Sequence, residues 1–277
     1  MQKMTGTIFA TPMLVMMLLF FLAPLGVLAV FSVLGPDGEV TLANYRTFLA
    51  DDFAVGVLFN TILLGAKVVG AVTLLGLPIS LLYWHSSSRM RSFILVATLL
   101  PMLTSNVVRT FAWIVILGRN GPISQGLLEM GLSSRPFSLL FTETGLIMAL
   151  AQIELPLLVL PLIAVLSQAD RRLVDASEVL GAGRWRSFLT VLLPMLTPAI
   201  FAGWVLVFAS ATTSYVTQSV IGGARLIYMP RFVYREVGIL FQWPMAAAIA
   251  FLLLISTGIV MLTLTTLARH RRLAAYA

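Results

Sequence analysis

The chain has 277 residues, of which 59% are hydrophobic and only 10% charged, where a soluble domain carries about 25% charged residues. That balance excludes a water-soluble globular protein, and the formal net charge of +7, mostly arginine, reads as a signal of membrane orientation. No basic-aromatic patch points to nucleic acid, and the absence of cysteine excludes disulfides, zinc sites and thiol catalysis.

A helix needs about 20 mostly apolar residues to cross the hydrocarbon core, and six regions qualify: roughly 8–34, 55–84, 92–118, 144–167, 192–222 and 240–268. The predicted fold class is therefore all-α, a polytopic membrane protein with six transmembrane helices in one domain over 1–277. Lys3 precedes an uncharged stretch from Met4 to Pro36. A cleaved signal has an apolar region of about 7–15 residues, so this longer run reads as the first span, with a cleaved signal as the alternative. The fifth region is uncharged from Ser187 to Ala224, longer than one span needs, so part of it is expected at an interface or in a re-entrant turn. Pro78, Pro101, Pro156, Pro161, Pro194, Pro198 and Pro244 fall inside spans, where neighbouring groups re-satisfy the freed carbonyls.

Six spans put both termini on one side. The loops on that side hold Lys3, Arg89, Arg91, Arg171, Arg172, Arg184, Arg186, Arg269, Arg271 and Arg272, against only Asp170, Asp175 and Glu178. The opposite loops hold Arg46, Arg119, Arg135, Arg225, Arg231 and Arg235 against Asp37, Glu39, Asp51, Asp52, Glu129, Glu143 and Glu236. The positive-inside rule then places both termini and the loop 168–191 in the cytoplasm.

That loop has its own internal order. Asp175 and Glu178 share a helix face, Gly181 offers a bend, and Arg184, Arg186 and Pro194 follow. Asp175-Ala176-Ser177, Gly181, Val191 and Leu193-Pro194 resemble the EAA motif of bacterial ABC importer permeases: Glu-Ala-Ala, three residues, Gly, nine residues, Ile-x-Leu-Pro. Every spacing is kept, with Asp for Glu, Ser for Ala and Val for Ile. In that family the loop forms short coupling helices that dock into a cleft on the ATPase subunit. The resemblance therefore assigns Asp175, Ala176, Ser177, Glu178, Gly181, Arg184, Arg186 and Pro194 to ATPase coupling.

Further stretches are similar to the spermidine/putrescine permease branch: Val108-Arg109-Thr110-Phe111-Ala112-Trp113, then Leu117-Gly118-Arg119-Asn120-Gly121, then Tyr215 through Gly222-Gly223-Ala224-Arg225, and Gln242-Trp243-Pro244. The branch includes relatives that handle opines, amino acid derivatives and phosphonates, so a small polar solute is implied. A polyamine such as spermidine or putrescine is favoured, with a zwitterionic or anionic amino acid derivative, opine or phosphonate as the alternative.

The resemblance implies a machine in the bacterial inner membrane. This chain is expected to pair with a second permease, a heterodimer in preference to a copy of itself, above two ABC ATPase subunits. A periplasmic substrate-binding protein delivers the solute. No cofactor is expected in this chain; ATP and Mg belong to the ATPase subunits. The only lysines, Lys3 and Lys67, lie outside any Gly-rich phosphate loop, so the chain is expected to translocate and not to catalyse.

Three ionisable residues fall within spans, Lys67, Arg109 and Glu154, each expensive in lipid. On the assigned orientation all three lie in the outer half of the membrane. They line or gate the path, or they are structural, with Glu154 paired to Arg109 and Lys67 reaching outward. Thr213, Ser214 and Tyr215 are weaker candidates for the path, since hydroxyls in membrane helices commonly bond their own backbone or a neighbouring helix. Arg225, Arg231 and Arg235 are expected to face the binding protein. An intramembrane enzyme is disfavoured because His85 and His270 sit in flanks and no catalytic pair falls in a span. A secondary transporter is disfavoured because no inverted repeat is visible.

Overall fold

The computed structural model describes the backbone of residues 2–35 and 38–275, and the side chains of 12–13, 15–35 and 38–267. Asp37 and the side chains of Lys3, Arg269, Arg271 and Arg272 from the charge argument above, and that of His270, lie outside the described residues. Among those described, the α-helices are α1 Gln2–Ser32, α2 Ala43–Ala50, α3 Asp52–His85, α4 Ser88–Leu99, α5 Asn106–Leu117, α6 Pro122–Glu129, α7 Glu143–Gln168, α8 Arg171–Val179, α9 Arg184–Ser187, α10 Leu193–Thr213, α11 Tyr215–Gly222, α12 Met229–Gly238 and α13 Trp243–Ala275. The extended pairing among them is one antiparallel bridge, Leu34 with Val40. The all-α expectation holds.

Five helices are long and apolar enough to cross a membrane, and six crossings result when one bent pair counts as one. That pair corrects the predicted span 92–118. Residues Ser88–Leu103 and Asn106–Glu129 meet at 103°. The local cause is legible: Pro101 lacks the N–H that would continue α4, the chain tightens into a 3₁₀ turn over Leu100–Leu103, and the Ser105 hydroxyl accepts from the Val107 N–H to start a new helix. The predicted span 192–222 is also corrected. α10 stops at Thr213, Ser214 takes non-helical angles, and α11 starts separately. Pro78, Pro156, Pro161 and Pro198 lie within helices, Pro194 follows a π turn inside the continuous helical run Arg184–Thr213, and Pro244 sits in the first turn of α13, where no intrahelical N–H is missed.

The chain forms two compact units. The first comprises Met1–Leu58 with Phe232–Ile255. Within it Asn44 donates to the Leu34 carbonyl at 2.9 Å and Tyr45 to the Ser32 hydroxyl at 2.8 Å, tying α2 to the end of α1. Phe48, fully buried, packs on Phe232 with ring centroids 6.2 Å apart. Over Val15–Ser32 only 6% of α1 is buried, so this helix offers an apolar surface all round to lipid or another chain.

The second unit comprises Phe59–Arg231 with Ser256–Ala277. Its centre is α7, 61% buried along its apolar stretch. α7 packs along α10, and α11 packs on α5 and α7. Leu150, Leu158, Leu162, Leu196, Val207 and Ala211 fill the core. Small residues let the helices approach, as in other membrane bundles. A Cβ on Gly203 of α10 would lie 3.0 Å from the Leu158 Cα of α7, and one on Gly65 of α3 would lie 2.8 Å from the Phe208 ring.

Candidate functional site

The turn between α7 and α10 carries the motif residues. Asp170 caps α8 by accepting from the Arg172 N–H at 2.9 Å. The helix ends at Gly181, whose φ of +88° favours glycine. Gly181 N–H reaches the Glu178 carbonyl at 2.9 Å and Ala182 N–H the Ser177 carbonyl at 3.0 Å, the two bonds of a Schellman cap. The Ser177 hydroxyl lies 2.7 Å from that of Ser187, so the third motif position ties α8 to α9. From Phe188 to Leu192 the backbone widens into a π turn, with Leu193 N–H on the Phe188 carbonyl, and Pro194 follows directly.

Asp175 and Glu178 share a face as expected, and that face lines a cavity of about 1310 Å³ with Trp84, Arg184, Trp185 and Trp204. Arg171 donates to the Trp84 carbonyl and lies over the Trp84 ring at 4.8 Å, fixing the start of α8 to the end of α3. Trp204 donates to the Thr73 hydroxyl at 2.8 Å on another wall. Ala176, Gly181, Arg184, Arg186 and Pro194 are exposed. The sequence reading passed over the apolar side chains of this turn: Leu180 is 88% exposed, Val179 87% and Trp185 72%. Apolar letters inside a charged loop were the available signal.

The intramembrane charges are arranged otherwise than expected. Lys67 on α3 pairs with Glu143 at 2.6 Å, a partner 76 residues away that the sequence assigns to an outer loop. Both side chains are partly exposed, so the pair is worth about 0.2–1 kcal/mol. Glu143 also acts on Tyr228, whose phenol is pushed up to about 12 by burial first and by that carboxylate second. Lys67→Met and Glu143→Gln are each expected to lower the melting temperature slightly, and the double variant less than their sum. Additive shifts in a double-mutant cycle would show that the contact contributes nothing.

Glu154 on α7 is 4% exposed, and Ser210 of α10 and Arg109 of α5 are the polar groups that act on its carboxyl. Lys67–Glu143 and Arg235–Glu236 are ion pairs among the described residues, and the alternative in which Glu154 pairs with Arg109 is not formed as a contact. Arg109 instead donates through Nη2 to the Asn106 side chain, while its Nε and Nη1 are covered and have no partner. Around them Thr110 and Thr217 hydroxyls meet at 3.1 Å, linking α5 to α11, and Trp113 donates to Gln152 at 3.1 Å. Gln218, 1% exposed, donates to the Ala211 carbonyl at 2.7 Å while its Oε1 is unpartnered.

Thr213 bonds the Ala209 carbonyl of its own helix at 2.8 Å, the bland alternative for that residue. The Ser214 carbonyl accepts from Gln218 N–H at 3.1 Å in the first turn of α11, and Tyr215 is half-buried. Of the three arginines expected to face the binding protein, Arg225 is exposed. Arg231 donates to the Gly223 carbonyl, and Arg235 to Glu236 at 2.7 Å while lying over the Phe232 ring. Among the described residues no group of three or more His, Cys, Asp or Glu could hold a metal.

No protein-family model matches the chain. The spermidine/putrescine transport system permease protein PotB of Haemophilus influenzae is 28% identical over 240 residues, covering 84% of each chain. The permease assigned to 2-aminoethylphosphonate transport in Salmonella paratyphi A, PhnU, is 28% identical over 252 residues, 90% of this chain and 86% of the relative. Among solved structures, a bacterial ABC transporter that imports the acidic polysaccharide alginate matches with a TM-score of 0.76 at 18% identity, over 97% of this chain and 96% of the other. The chain is thus similar in sequence to ABC importer permeases over most of its length, and its fold is theirs.

Proposed function

We infer that this chain is the membrane-spanning permease subunit of an ABC importer, moving a small amine-bearing solute across the bacterial inner membrane with both termini in the cytoplasm. The likeness to PotB over 84% of the chain carries the reading. The exposed apolar turn between α8 and α9 supports it, because Val179, Leu180 and Trp185 suit burial in the cleft of a partner.

Two ATPase subunits would hold ATP and Mg, and a second permease would complete the pore. ATP binding closes the ATPase pair and moves the docked turn, and the helices rock between outward- and inward-facing states by differential binding. A periplasmic binding protein would contact loops 35–54, 119–143 and 223–239, with Arg225 the best placed of the three arginines. Polyamine relatives favour spermidine or putrescine as solute, and Glu154 is the group suited to an ammonium. The aminophosphonate relative carries an amine as well, which keeps the wider class of small amines.

Purification of the tagged chain from its native host tests the class. An ATPase with a phosphate-binding loop and a second permease should co-purify, and vesicles containing the complex should import solute only with ATP and binding protein. Transport by the chain alone under an ion gradient would replace this reading with a secondary transporter.

A further inference from the structure

We propose that the cavity walled by α3, α8, α9 and α10 is a lipid site, taking a phospholipid whose headgroup carries both an ammonium and a phosphate, namely phosphatidylethanolamine. The inference rests on the orientation inferred above, which sets α8 and α9 at the cytoplasmic face.

The cavity, about 1310 Å³, has two chemically distinct parts. Its wall on α3 follows two rows at four-residue spacing, Gly70 and Leu74 in one and Val69, Thr73, Leu77 and Leu81 in the other, so the rows are neighbours on one helix face. From Ala66 to His85 this wall runs about 28 Å at 1.5 Å per residue, more than the half of a roughly 30 Å hydrocarbon core that one leaflet fills. The polar side chain in that stretch, Thr73, donates to the Val69 carbonyl at 2.7 Å and accepts from Trp204 at 2.8 Å, so it is already partnered. Among the described residues, the covered polar side-chain atoms without a partner belong to Arg109, Gln218, Ser219 and Thr257, none of which lines the cavity. A small polar solute seated here would give up water for a wall that offers no hydrogen bond in return, a loss that hydrocarbon chains do not incur.

The charged lining residues gather at one end: Arg171, Asp175 and Glu178 on α8 and Arg184 on α9, beside His85 at the end of α3. Trp84 stands where the wall meets this rim, the level at which indoles favour a membrane interface. Neither carboxylate and neither arginine of the rim is in an ion pair among the described residues. Arg171 is engaged by Trp84, whereas Asp175, Glu178 and Arg184 are exposed. A headgroup with an ammonium and a phosphate brings a partner of each sign, through charge-assisted hydrogen bonds. A purely anionic headgroup is repelled by the two carboxylates, and a quaternary ammonium has no N–H to donate. A helix of a second permease would fill the wall and leave the charges of the rim unmatched.

The test places the purified complex in nanodiscs of phosphatidylcholine and adds lipids with brominated acyl chains, which quench indole fluorescence on contact. Trp84 and Trp204 line the cavity, while Trp243, exposed and outside it, gives a background common to all lipids. Brominated phosphatidylethanolamine should quench at about tenfold lower mole fraction than brominated phosphatidylcholine or phosphatidylglycerol, the scale of one hydrogen bond to a charged group. Two variants should abolish that preference. Gly70→Phe fills the wall, where an added Cβ meets nothing within 4 Å, and Asp175→Asn with Glu178→Gln removes the charge of the rim at constant size.

Equal quenching by the three lipids, a preference for phosphatidylglycerol, or a preference that survives the rim variant would each overturn the proposal. Headgroup-selective quenching seen with the isolated chain and lost in the complex would assign the groove to a protein helix and overturn it too. Quenching is read on the same preparation whether or not an ATPase co-purifies, so failure of the importer reading is scored separately.

Discussion

Replacing Gly203 with leucine is expected to deprive the membrane of folded chain. Gly203 sits where α10 packs along α7 in the second unit. A Cβ there would stand 3.0 Å from the Leu158 Cα, a backbone atom that no rotamer change can move aside. Inserting side-chain atoms into a packed core costs about 1–3 kcal/mol, occasionally more. Here the obstruction is backbone, so the upper end or beyond is expected, a large share of the roughly 5–15 kcal/mol that a domain has in total. Gly203→Ala should be milder and still measurable. Gly126→Leu is the control, because a Cβ at Gly126 meets nothing within 4 Å. Melting of detergent-solubilised protein followed by size-exclusion fluorescence reads the result. A Gly203→Leu variant that melts with the wild type would show that α7 and α10 do not pack as described.

The second large effect is expected at the exposed turn, and it should spare folding. Leu180→Asp together with Trp185→Ser removes two apolar side chains that this chain leaves open. Fully burying a leucine against a partner contributes about 1.5–3 kcal/mol, and each 1.4 kcal/mol is about tenfold in affinity. The double variant should lose the ATPase on purification and lower ATP-driven uptake by more than tenfold. Its own melting temperature should be unchanged.

Gly181→Val acts in the same direction through the backbone. Its φ of +88° is disfavoured for any side chain, at about 1–3 kcal/mol, although nothing lies within 4 Å of the added Cβ. In the sequence Gly181 offers a bend; the geometry adds a conformational reason internal to the chain. Normal ATPase retention and uptake in both variants would take this turn out of the coupling role.

The number of apolar helices, the polar turn and the glycine bend within it were legible from composition and spacing, because each depends on residues adjacent in the chain. Hydrophobic length decides that a segment enters lipid, and Gly181 closing a Schellman cap needs only its own backbone and that of the preceding helix. The break in the third span was written locally too, in Pro101 and Ser105. It stayed hidden because both residues are tolerated inside continuous membrane helices.

What only the tertiary structure decided is which groups meet. Lys67 finds Glu143 from 76 residues away, and Arg109 bonds Asn106 on its own helix. Leu180 and Val179 stay uncovered while equally apolar leucines on α7 disappear into the core. Composition assigns a residue to lipid or to water, whereas partners and exposure depend on how helices distant in sequence cross. Those crossings follow from where small residues such as Gly203 and Gly65 allow two backbones to approach.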